Sequence, residues 1–201
     1  MNLVRTVIAV LVGLALAGCV SLLPKTKAAQ LYRFTMPVAA AARPASGERF
    51  NVSFSPADFD RASAGDRILT VRGDTTAYIA GARWVSNANV LFEQAVESAF
   101  AADAGPANLL ASGEPAHADY SLKLDVRAFE ARYAGAPIPT VHVVLYAALV
   151  SAADHTDRER TFAADVPAAE NRVGAIARAY TAATAQVTTA LAHWVDTRGA
   201  G

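Results

Sequence analysis

Polar and apolar side chains alternate strictly over residues 121–128, and this pattern constrains the fold more than any other in the sequence. The apolar positions are Leu122, Leu124, Val126 and Ala128, and the polar positions are Ser121, Lys123, Asp125 and Arg127. Successive side chains of a strand point to opposite faces, so this strand has one dry face and one wet face. It therefore belongs to a sheet that a second layer covers on one side.

Two amphipathic helices are predicted to form that layer. The first is capped by Ser86 or Asn87 and runs to about Ala104, where Gly105-Pro106 ends it. The second runs from about residue 167 to 197, because apolar residues recur there at spacings of three, four and seven. Asp165 is its predicted N-cap, with Pro167 in the first turn.

The remaining periodic segments are predicted strands. A segment that is apolar on both sides, 141–150, is expected at the centre of the sheet. The others are 30–35, 50–54, 68–71, 76–82 and 158–166. Gly73-Asp74 is a predicted hairpin turn, whereas the stretch after Pro56 and residues 105–118 are predicted loops. The predicted fold class is α+β: a mixed, mainly antiparallel sheet with two amphipathic helices packed on one face, in the order β-β-β-β-α-β-β-β-α.

The N-terminus has the pattern of a lipoprotein signal peptide. Arg5 precedes an apolar run from Val7 to Ala17, which is too short to span a bilayer as a helix. Leu16-Ala17-Gly18-Cys19 matches a bacterial lipobox, and Cys19 is the one cysteine of the chain. We expect residues 1–18 to be the signal peptide, residues 19–29 to be the lipidated Cys and a tether, and residues 30–201 to form a single domain.

Charge and sequence context indicate the compartment and exclude one class of partner. The chain has 18 Lys+Arg and 18 Asp+Glu, without the basic excess typical of nucleic-acid binders. The residue after Cys19 is Val20 rather than the Asp that favours retention in the inner membrane. The expected location is therefore the outer membrane, with the domain facing the periplasm and attached through its lipid anchor.

Motifs for catalysis or for a metal are not found in the sequence. It contains no G-x-S-x-G elbow, phosphate-binding loop or G-x-G-x-x-G fingerprint, and its four histidines lack metal-ligand spacing. The pair Asp58 and Asp60 either belongs to a polar loop, which we favour, or performs acid–base chemistry. No metal or cofactor is predicted apart from the covalent lipid, and the protein is predicted not to be an enzyme.

Arg83-Trp84 is the candidate partner-binding pair, because it joins an aromatic strand directly to a helix. Trp84 either buries its ring at this corner, which we favour, or anchors a partner protein together with Arg83. Tryptophan and arginine are enriched at the centres of protein interfaces. Both interpretations remain open from the sequence alone.

Several segments together resemble the ABC-type transport auxiliary lipoprotein family, which includes PqiC-like proteins. The resemblance covers about residues 30–197 and is carried by the lipobox, Tyr32-Arg33-Phe34-x-x-Pro37, Tyr78…Arg83-Trp84, the Leu91-containing helix, Leu122–Val126, Val141–Val166 and Trp194. Phe34 stands where the family usually has Leu, and Val85 where a small residue often follows Trp.

The resemblance implies a non-catalytic periplasmic component of an ABC/MCE-type system that moves lipids or other hydrophobic molecules across the envelope. It implies docking to an MCE-domain protein and to ABC transporter components. Two alternatives remain open: a lipid-anchored envelope enzyme, and a lipoprotein that activates or assembles another envelope machine. The sequence also leaves a homo-oligomer open.

Overall fold

The computed structural model describes residues 28–34, 48–103, 105–110, 114 and 116–199. Within these residues the chain forms nine strands and three helices. The strands are β1 (Gln30–Tyr32), β2 (Phe50–Phe54), β3 (Asp58–Phe59), β4 (Arg67–Arg72), β5 (Thr75–Trp84), β6 (Ala107–Leu109), β7 (Tyr120–Arg132), β8 (Thr140–Ser151) and β9 (Asp157–Pro167). The helices are α1 (Arg61–Ala64), α2 (Ala88–Asp103) and α3 (Val173–Gly199). The α+β class is confirmed.

Strand β7 organises the sheet because it is paired along both edges. On one edge it pairs antiparallel with β8, which pairs antiparallel with β9. On the other edge β2, β3 and β4 pair with successive parts of β7, all in parallel. Strand β6 extends the sheet beyond β2, while β5 and then β1 extend it beyond β4. The long ladders are antiparallel as predicted, and the five parallel pairings are short.

The helices cover one face of this sheet. On β8 the odd-numbered residues from Val141 to Leu149 are buried, whereas the even-numbered residues are half-buried. Helix α3 packs on β8 and β9, and α2 packs on α3. Apolar residues on both faces of β8 suit a central strand, because both of its edges are paired. The predicted position of this strand and the one-sided helix layer are therefore confirmed.

The predicted start of the C-terminal helix is wrong by six residues. Strand β9 continues to Pro167, and α3 begins only at Val173. Asp165 is not an N-cap, because it lies in β9, where Oδ1 is 2.7 Å from Nδ1 of His142. The ladder between β8 and β9 overrides the local capping pattern, since it pairs Asp165 directly with His142.

Three short elements lie where loops were predicted. They are β3, α1 and β6, with two, four and three residues. Such lengths are too short to show a hydrophobic period. Each short strand is stabilised by pairing with a distant strand, β3 with β7 and β6 with β2.

A register shift in β7 changes which residues reach the core. The shift lies between Val126 and Ala128, and beyond it Phe129 and Ala131 are buried. An extra residue in one strand of a pair reverses the faces of the residues that follow. The bulge therefore directs Phe129 towards the helices, whereas simple alternation from Leu122 would direct it to solvent.

Among the described residues, no helix is long and apolar enough to cross a membrane.

Candidate functional site

Strand β1 forms one edge of the sheet and pairs with β5. Gln30, Leu31 and Tyr32 pair in parallel with Ala82, Arg83 and Trp84. Residues paired in this way have their side chains on the same face. Leu31 and Arg83 are consequently exposed on the outer face, while Tyr32 and Trp84 face the core.

Trp84 lies at the centre of an aromatic cluster beneath this edge. Its ring is T-shaped to Phe34 at 5.1 Å and to Tyr180 at 5.0 Å, and Phe129 contacts all three. Edge-to-face ring pairs contribute about 0.5–1.5 kcal/mol beyond the burial of their area. Trp84 is 2% exposed, so the structure supports the core-packing interpretation of this residue.

Tyr180 links this cluster to the sheet through its hydroxyl. The hydroxyl donates to the carbonyl oxygen of Leu69 at 3.0 Å. Burial raises the pKa of Tyr180 well above its usual value, and the negative charge of Glu130 raises it further. The neutral phenol therefore persists at physiological pH and keeps β4 attached to α3.

Arg83 is the exposed member of the predicted pair. Its Nη1 donates to both carboxylate oxygens of Asp66, at 2.7 and 2.9 Å, and its side chain is 47% exposed. The backbone of the same corner is fixed, because the N–H of Trp84 donates to the carbonyl of Asp66 and the N–H of Val85 to that of Tyr32, both at 2.7 Å. Asp66 therefore holds the guanidinium on the surface in a defined position.

Exposed apolar side chains surround Arg83. Four large hydrophobic residues of the described chain are exposed, and two of them, Leu31 (63%) and Val85 (45%), flank Arg83. Val85 and Arg33 also line a groove of about 350 Å³ along one side of α2, which Leu31 and Arg83 do not line. We name the group Leu31, Arg33, Arg83 and Val85 the Arg83 surface. Arginine next to solvent-exposed aliphatic side chains is typical of a protein-binding surface.

A second depression lies on the face of β1 that carries Gln30 and Tyr32. Gln30 and Tyr32 form one wall, Ile79 and Tyr133 another, and the segment from Glu170 to Arg178 at the start of α3 closes it. Its volume is about 610 Å³, within the range of small-molecule sites. We name it the amphipathic cleft, because apolar and charged side chains share its lining.

Asp196, near the end of α3, is a titratable group with a strongly shifted pKa. Its pKa is raised from 3.8 to about 6, chiefly by desolvation on burial and also by the carboxylate of Asp103, while the hydrogen bond from the N–H of Ala107 opposes the rise. That N–H donates to Oδ1 at 2.9 Å. A Cβ atom added to Gly105 would lie 1.7 Å from Oδ2, so the carboxylate occupies space that only glycine leaves open. Asp196 thus holds the turn between α2 and β6.

The acidic residues considered for catalysis have local structural roles. Asp58 Oδ1 accepts from the N–H of Phe59, and Asp60 Oδ1 accepts from the N–H of Ala62 as the N-cap of α1. Neither residue lines the groove or the amphipathic cleft. In the part of the chain that the structure describes, both carboxylates therefore accept backbone hydrogen bonds within their own turns.

The hairpin tip that contains His155 likewise has a local structural role. No group of three metal-ligating side chains is found among the residues that the structure describes. At the tip between β8 and β9, hydrogen bonds from Ser151 and Thr156 lower the pKa of Asp154 to about 2. These bonds stabilise a turn in which His155 has a φ of 57°.

Sequence reasoning gave no role to three residues that shape these sites. Phe129 was missed because of the bulge, and Asp66 because its partner Arg83 is 17 positions away. Asp196 left only an indirect signal, the Gly105-Pro106 pair that it contacts across the fold. Cys19 lies outside the described residues, so its lipidation stays a prediction.

Comparison with known proteins identifies what the chain resembles. A family model for the ABC-type transport auxiliary lipoprotein component matches residues 32–192. A crystal structure of a Xanthomonas campestris protein of the DUF330 family is 30% identical, with a TM-score of 0.72 over 85% of this chain and 97% of that one. Another crystal structure, of an uncharacterized protein, shares the fold at 12% identity, with a TM-score of 0.65 over 84% of this chain and 99% of that one. A search of curated proteins finds no match.

Proposed function

Since this chain belongs to the ABC-type transport auxiliary lipoprotein family, we propose that it is a non-catalytic component of an ABC/MCE-type system. The system moves lipids or other hydrophobic molecules across the cell envelope, and this protein acts by docking to transporter partners. The family match over residues 32–192 carries the proposal. The resemblance inferred from the lipobox and the aromatic strand agrees with that match.

The anchor is the lipid on Cys19. The lipobox at residues 16–19 supports it, and Val20 favours the outer membrane, with the domain facing the periplasm. Covalent acyl chains hold a protein at a bilayer because each buried CH₂ contributes about 0.8 kcal/mol. Cys19→Ala should therefore release the protein from the membrane fraction and abolish its labelling by radioactive palmitate. Membrane attachment that persists in Cys19→Ala would refute this anchor.

The docking site is the Arg83 surface. Its side chains stand on a rigid base, because Trp84 and Phe34 are packed in the core directly behind it. A preorganised surface loses little conformational entropy when a partner binds. Arg83 supplies the charged contact, Leu31 and Val85 supply apolar area, and Trp84 acts only by positioning β5. The expected partner is an MCE-domain protein.

The test is co-purification of the anchored protein with its transport components after crosslinking. Arg83→Glu should lower recovery of the MCE-domain partner by roughly tenfold, as loss of a central charged contact does. Asp66→Asn removes the negative charge of the ion pair but keeps Arg83, so it should lower recovery less than Arg83→Glu does. Arg160→Glu tests a charge of the same sign on the opposite edge strand. The docking site is refuted if Arg83→Glu and Arg160→Glu have equal effects.

A further inference from the structure

The amphipathic cleft has an apolar wall and a basic rim. Ile79, Val173 and Ile176 form the wall together with the rings of Tyr32 and Tyr133. The rim carries Arg172 and Arg178, with Glu170 as the one acidic side chain of the lining. The lining therefore separates an apolar part from a part with net positive charge.

Arg178 has no counter-charge among the residues that the structure describes. Its Nη1 lies 3.8 Å from the position of a Cβ added to Gly174, so the guanidinium reaches back over the first turn of α3. No described residue makes an ion pair or a hydrogen bond with it. Arg172, in contrast, is 3.4 Å from Glu170 in an ion pair that is largely exposed. Arg72 does not line the cleft, but its guanidinium lies over the ring of Tyr133 at 4.5 Å.

The geometry points to an acidic phospholipid as the ligand of this cleft. The phosphate binds at Arg178 and Arg172, while the glycerol and the first methylene groups lie against Ile79, Val173 and Tyr32. A cleft of about 610 Å³ takes the headgroup region of such a lipid but not its whole acyl chains. The chains consequently leave through the open side of the cleft.

The position of the cleft suits a ligand that comes from a membrane. Gln30, on its wall, is eleven residues after Cys19. Even fully extended, that stretch spans no more than about 40 Å, so the cleft stays close to the bilayer that holds the anchor. This inference rests on the proposed function, for which it names the substrate class.

The experiment measures lipid binding to the full lipoprotein in a nonionic detergent by native mass spectrometry. The probes are dioleoyl phosphatidylglycerol, dioleoyl phosphatidylcholine and glycerol 3-phosphate. Phosphatidylglycerol should bind more tightly than phosphatidylcholine, and glycerol 3-phosphate should not displace it. Arg178→Gln should weaken binding of phosphatidylglycerol by roughly fivefold, the usual effect of one arginine near an anionic lipid.

The matched control is Arg49→Gln, which removes an exposed arginine ahead of β2 and should leave binding unchanged. Ile79→Ser tests the apolar wall and should weaken the binding of both phospholipids. The inference is overturned by equal binding of the two phospholipids, by unchanged binding in Arg178→Gln, or by displacement with glycerol 3-phosphate. No transporter component enters this assay, so its failure leaves the docking proposal standing.

Discussion

Replacing Asp196 by Asn should stabilise the protein at pH 7.5 and progressively less as the pH falls. An unfolded aspartate titrates near 3.8, whereas the folded carboxyl has a pKa of about 6. The folded state therefore binds the proton more tightly than the unfolded chain does. The contribution of this bound proton to the free energy of unfolding is fully present below about pH 4 and is lost as the pH rises through about 6.

The magnitude follows from the size of this shift. Two pKa units correspond to about 3 kcal/mol for a fully desolvated carboxylate. Asp196 is only partly buried, so solvent screening reduces the expected gain from Asn to about 1–1.5 kcal/mol at pH 7.5. The Asn side-chain oxygen still accepts the N–H of Ala107, so the hydrogen bond that holds the turn is kept.

Urea unfolding between pH 4 and pH 8 measures this difference, with the fluorescence of the buried Trp84 and Trp194 as the signal. Asp103→Asn is the matched variant, because it removes the neighbouring carboxylate and should stabilise in the same direction by less. A difference between wild type and Asp196→Asn that is independent of pH would refute the reasoning. A variant less stable than wild type at pH 7.5 would refute it as well.

Three further single substitutions test the packing of the fold. Trp84→Ala should lower the free energy of unfolding by about 3–5 kcal/mol, because it removes the central ring of the aromatic cluster. Arg83→Ala should lower it by less than about 1 kcal/mol, because the ion pair of Arg83 is exposed. Equal losses in chemical denaturation would contradict the assignment of Trp84 to the core and Arg83 to the surface. Gly105→Ala should destabilise by about 1–3 kcal/mol because its Cβ collides with Asp196, and thermal unfolding should show this loss reduced in the Gly105→Ala, Asp196→Ala double variant.

The sequence predicts those parts of the fold in which one period persists over many residues. Strands β7 and β8 and both long helices show such patterns, and the structure contains all four. The turn at Gly73-Asp74 was also predictable, because glycine with a φ of 55° is what the hairpin between β4 and β5 requires. These elements share a local signal that does not depend on a distant partner.

Features that depend on distant pairing were not predictable. The bulge before Ala128 is set by the ladder with β8, and it alone brings Phe129 into the core. The late start of α3 has the same origin, because β9 stays paired as far as Pro167. The sequence pointed to Arg83-Trp84 as the candidate partner-binding pair and favoured burial of the Trp84 ring. The structure buries Trp84 and leaves Arg83 exposed, whereas a role of this pair in docking stays a prediction.

The most direct test of the central claim is site-specific photo-crosslinking in cells that express the complete transport system. A photoreactive amino acid is placed at Leu31 on the Arg83 surface or, as the control, at Thr161 on the opposite edge strand; both positions are exposed. We expect Leu31 to give a covalent adduct with an MCE-domain protein and Thr161 to give none. The absence of any transporter component from the Leu31 adducts would contradict the proposed docking function.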